Sequence, residues 1–139
     1  MTFPDDGFWN SRTSLREIKD YAVSRLVSPD AVLAVTLCRI IAATPPHVVL
    51  PPTIGSDYGS LNFGVVILGN PGPGKDAAFG AAKALVPDIR DAPVTSVASG
   101  QAISALFGQR VQEDGRFRLE CKSPRAMLRY SEASNFRAL

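Results

Sequence analysis

Residues Gly69 to Asp76 read GNPGPGKD. Glycines at this spacing, closed by a lysine, can hold an anion. They let the backbone wrap around a phosphate, whose charge meets N–H groups and the N-terminus of a following helix. The lysine adds a full charge for the β- and γ-phosphates of a nucleotide. The pattern G-x-x-x-x-G-K normally continues with Ser or Thr, whose hydroxyl binds Mg2+. Here Lys75 is followed by Asp76. A carboxylate is a good Mg2+ ligand. Beside a triphosphate it also costs about 1–4 kcal/mol at a few ångströms, unless the metal lies between them. Asp76 therefore has two readings, a direct metal ligand or a cap on the helix. Pro71 and Pro73 stiffen the loop, and Pro73 removes one N–H donor. The expected nucleotide-binding set is Gly69, Asn70, Gly72, Gly74, Lys75, Asp76 and Ala77, with ATP and Mg2+ as the ligands. The competing reading is a Gly/Pro turn that binds nothing.

Such a loop works only between a strand and a helix. FGVVILG (63–69) is a short apolar run rich in β-branched residues, which predicts a strand buried on both faces of a parallel sheet. DAAFGAAKALV (76–86) predicts a helix whose small residues allow close packing on that sheet. Upstream, residues 11–27 predict an amphipathic helix with Ser14 and Glu17 as a capping box and Leu15, Ile18, Ala22 and Leu26 on its apolar face. Ser28-Pro29-Asp30 opens a second helix through Ala43, apolar nearly all round. Paired prolines in TPPHVVLPP (44–52) stop it, leaving HVVL as a short strand or an extended connector. TIGSDYGS continues as loop. Downstream, APVTSVA (92–98) predicts a strand, and residues 99–111 a helix capped by Ser99. Residues 113–116 predict a turn, and FRLEC (117–121) and AMLRYSE (126–132) predict strands.

The chain has 139 residues, 45% hydrophobic and 20% charged, which fits a globular fold. Net charge is +2, too small to imply nucleic acid by itself. Residues 110–139 hold seven Arg/Lys against four acids. That basic C-terminal region offers DNA a meeting point; a solvated face is the plainer reading. Two cysteines give no disulfide scaffold, and His47 alone excludes a His-rich metal site. The N-terminus has no signal-peptide core. The apolar stretch Ala31 to Ala43 contains Thr36 and Arg39 and falls short of the roughly 20 residues that span a bilayer. No membrane partner is expected, and the expected location is the cytoplasm.

SPDAVLAVTLCRIIAAT, TPPHVVLPP and SLNFGVVILGNPGPGKDAA together resemble the ATPase portion of primase–helicase-type replication proteins from actinobacterial phages and integrative elements. The likeness runs from Phe8-Trp9 to the end of the chain, and GNPGPGK resembles AAA-type loops more broadly. It implies an α/β fold, with N-terminal helices (1–52, including the Pro-rich connector) before a partial P-loop NTPase core (53–139) with a short, mostly parallel sheet. It implies one compact unit, an AAA/RecA-like ATPase that works as an oligomer in DNA replication. SEASNFRAL resembles the segment around the family's second acidic motif, which makes Glu132 the candidate for orienting water. Ser131 stands where many relatives carry a metal-binding Asp. Relatives continue past this point, so later strands, a polar sensor and an arginine finger are not supplied by these residues.

Two functions follow. One is the nucleotide-binding half of an ATPase, with little or no turnover of its own. The other is a non-enzymatic, phage-type protein that binds an intact ATPase or a host protein. A third, a DNA-binding module, lacks a recognisable motif. In the related sheets FGVVIL should pair with AMLRYS. The expectation is that this strand is covered by the chain's own helices and HVVL, or paired with another protein chain or a second copy.

Overall fold

The computed structural model describes residues 6–53, 57–69, 74–89, 92–96 and 99–130. It is mixed α/β, with short sheets of two strands each. The helices are α1 (Asp6–Asn10), α2 (Thr13–Ser24), α3 (Pro29–Ala43), α4 (Gly74–Leu85) and α5 (Gly100–Phe107). The strands are β1 (Val49–Leu50), β2 (Gly59–Ser60), β3 (Val94–Thr95), β4 (Gly108–Glu113), β5 (Arg116–Cys121) and β6 (Met127–Leu128). The chain divides into two compact units, Met1–Ile41 with Asn62–Asp88, and Ala42–Leu61 with Ile89–Leu139.

The first unit is helical. Ala22, Val27, Val32, Ala78 and Ala81 form its core, with Ile18, Tyr21, Ala31 and Leu85 packed around them. The alanines explain the close approach, because a helix face without bulk lets its neighbour come near. That small-residue face of α4 packs on helix α2, where the sequence led to the expectation of a sheet. On α3 the buried stripe is Val32, Val35, Thr36, Arg39 and Ala42, at helical spacing. Ser28 caps α3 by accepting a bond from the Ala31 N–H.

The two ends of α2 differ from expectation. Arg12 holds the N-cap position in extended conformation without a side-chain cap bond, so no Ser14–Glu17 capping box forms. At the other end, Val27 N–H bonds Ala22 O and Leu26 N–H bonds Val23 O, at 3.0 Å each. This is the Schellman pattern. It sets Leu26 at φ 55° and turns its side chain out, 95% exposed. Val27, the next residue, takes the buried place that helical spacing had assigned to Leu26.

The second unit holds the strands. Val49 and Leu50 pair antiparallel with Ser60 and Gly59, so part of the expected 53–60 loop is β2. β3 and β6 are parallel, bonded from Met127 N–H to Pro93 O and from Arg129 N–H to Thr95 O, both 2.9 Å. Between them come α5 and a hairpin. The Ser99 hydroxyl accepts from Ala102 N–H at 3.3 Å, capping α5 as its sequence indicates. The expected helix through Val111 stops at Phe107, because Gly108 leaves the helix in extended backbone and opens β4. Asp114 and Gly115 have φ of 51° and 75°, the left-handed pair that a tight two-residue hairpin requires. Arg125 Nη1 donates to Ala43 O at 2.6 Å, serving a carbonyl at the C-terminal end of α3.

The expected strand 63–69 is the main correction. Among the described residues it joins no sheet, and AMLR pairs with PVT instead of with FGVVIL. Val66 and Leu68 are 82% and 89% exposed, so these two side chains are not covered. A β-branched apolar run favours extended backbone, but a ladder also needs a neighbour at the right distance.

Candidate functional site

Among the described residues, 63–69 join no helix or strand, and α4 begins at Gly74. Lys75, Asp76 and Ala77 therefore lie in the first turn of a twelve-residue helix. The first four N–H groups of a helix have no intrahelical acceptor and carry its positive end. Asp76 is exposed there, where a carboxylate suits the helix dipole. Lys75 is half-buried, and its Nζ donates to Gly69 O at 3.2 Å. The lysine thus reaches back across the loop and ties its two ends together.

Gly69 and Gly74 are glycines without a packing reason. Among the described residues, a Cβ on either would meet nothing within 4 Å, and neither backbone lies in the left-handed region. A glycine without strain or neighbours leaves room for close approach from outside. Asn70, Gly72, Pro71, Pro73, Ser131 and Glu132 lie outside the described residues. Of the candidate set, the structure brings together Gly69 and Lys75 and places Gly74, Asp76 and Ala77 beside Lys75 on the helix.

Mg2+ needs oxygen ligands. Among the described residues no group of three or more His, Cys, Asp or Glu side chains is placed to hold a metal ion. Asp76 fits a Mg2+ ion only as one ligand beside phosphate oxygens and water, the usual arrangement for Mg2+ on a nucleotide.

The other end of α4 is held by a residue that periodicity did not single out. Arg39 is buried on α3, where its Nε donates to Val86 O at 2.7 Å and its Nη2 to Pro87 O at 3.1 Å. Those carbonyls follow the last turn of α4, where acceptors run out of helical donors. Burial pulls the Arg39 guanidinium below its ordinary pKa, and the same loss of solvent pushes the neighbouring Cys38 thiol up. The signal available in the sequence was a lone arginine inside an otherwise apolar helix.

No helix among the described residues is long and apolar enough to cross a membrane. No family model, no curated protein and no solved structure matches the chain.

Proposed function

We propose that residues 69–77 form a nucleotide-binding loop for ATP with Mg2+, in a P-loop unit resembling replication ATPases and helicases. The observation that carries this reading is the Lys75–Gly69 bond, because it sets the ammonium against the Gly69 carbonyl, at the start of a helix. In this reading Gly69, Asn70, Gly72, Gly74 and Ala77 contribute backbone around the phosphates. Lys75 exchanges its carbonyl partner for a phosphate oxygen, and Asp76 faces Mg2+. Glu132 orients water. Turnover is slow or absent, because Pro73 lacks a donor N–H and a carboxylate replaces the metal-binding hydroxyl. Calorimetric titration of ATP with and without Mg2+ tests the metal assignment. Affinity is expected to rise steeply with Mg2+, and Asp76→Ala to flatten that rise. If Asp76→Asn binds better than the parent chain and equally well without metal, the aspartate is a helix cap and the metal assignment is wrong.

A second reading rests on the exposed segment 63–68. An exposed apolar stretch without a ladder partner among the described residues invites pairing with another chain. In this reading the chain acts through a protein contact, either self-association or capture of an intact ATPase or host protein, and the loop is secondary.

A further inference from the structure

The middle of α4 gives little grip along its axis. The face it buries is Ala78, Ala81 and Ala82, one stripe at helical spacing. Ala78 and Ala81 meet Ala22, Val27 and Val32 in the core. Methyl groups make shallow ridges on a helix. Dispersion then holds the helix against its neighbours while barely choosing its position along its own length. Directional contacts have to choose it, and they stand at the two ends. At the start, Lys75 Nζ donates to Gly69 O at 3.2 Å. Just past the end, Arg39 donates to Val86 O at 2.7 Å and to Pro87 O at 3.1 Å.

The two ends are not equal. The Lys75 bond is a single bond from a flexible side chain. Arg39 is 6% exposed, and its backbone lies inside α3. Its planar guanidinium commits two nitrogens to adjacent carbonyls, which fixes direction as well as distance. A helix carries such a constraint along its axis. The twelve residues of α4 span about 18 Å, at 1.5 Å per residue.

We propose that Arg39 is a positioning residue for the loop. From its seat on α3 it sets the axial position of α4, and so where Lys75 stands opposite Gly69. Arg39 touches no phosphate and acts only through the helix. The functional consequence rests on the nucleotide-loop reading above; the positional claim rests on α3 and α4 alone.

The test uses Arg39→Lys in the full chain, which keeps the charge and an apolar stem but loses the fork. In amide NMR spectra of the free chain, the signals of Lys75 to Ala78 are expected to shift together with those of Leu85 and Val86. Shifts confined to the C-terminal end of α4 would overturn the proposal. A second readout is titration with ATP and Mg2+. Arg39→Lys is expected to weaken affinity about fivefold, the low end of coupling between separated sites. In a Lys75→Ala background the same substitution is expected to have almost no further effect. A general loss of stability would weaken binding alike in both backgrounds, so equal losses would also overturn the proposal. A parent chain that binds no nucleotide would defeat the loop reading instead, and the amide signals would then decide the positional claim.

Discussion

Arg39→Ala is expected to lower unfolding free energy by about 3 kcal/mol. The change removes two hydrogen bonds and leaves Val86 O and Pro87 O without their donors at the end of α4. It also removes the apolar stem of a buried side chain, which packs as well as donates. Arg39→Lys keeps the charge but not the fork, because one ammonium cannot reproduce the two nitrogens directed at adjacent carbonyls. It should recover only part of the loss. Urea unfolding followed by helical circular dichroism measures both variants. If Arg39→Ala unfolds at the same midpoint as the parent, the arginine does not hold α4. The consequence would reach the loop, since the helix whose first turn carries Lys75 is the one Arg39 fixes at its far end.

Self-association is the second expected large effect. Sedimentation of the chain should show a dimer or larger species, and Val66→Lys should shift it to monomer. Val66 and Leu68 present apolar side chains to solvent on backbone that has no ladder partner among the described residues. Pairing with a second copy would satisfy the backbone and remove those side chains from water, at roughly 25 cal/mol for each square ångström of apolar surface buried. A lysine at Val66 would carry a charge into that contact, while its present exposure means that the isolated fold should tolerate it. A monomer at high protein concentration would contradict the prediction.

The sequence was readable where the determining chemistry is local. Ser28-Pro29-Asp30 begins α3 because the cap, the fixed φ and the acid are all set within one turn. Ser99 caps α5 and Asp114-Gly115 turns the hairpin for the same reason. Sheet membership was not readable. Phe63 to Leu68 carry a strand's composition, but a ladder is a property of two segments, and the sequence does not say which will meet. The alanine face of α4 shows the same limit: small residues permit a close neighbour without choosing between helix and sheet. Leu26 was misplaced because helical spacing was extended through a residue whose backbone had already left the helix. That Gly74, Lys75, Asp76 and Ala77 open a helix was legible from the sequence. The Lys75–Gly69 bond was not, because a lysine side chain has many rotamers and only the folded loop selects one.

The central claim is that the loop takes a nucleotide by its phosphates through Lys75. It is tested most directly by equilibrium titration of a fluorescent ATP analogue with Mg2+ against the chain and against Lys75→Ala. A charge-assisted contact to phosphate is worth about 1.5–3 kcal/mol, so the variant should bind roughly ten- to a hundredfold more weakly. The parent chain should saturate with one site, displaced by unlabelled ATP and by inorganic triphosphate. Lack of saturable binding, or binding of the same strength with and without the lysine, would contradict the account.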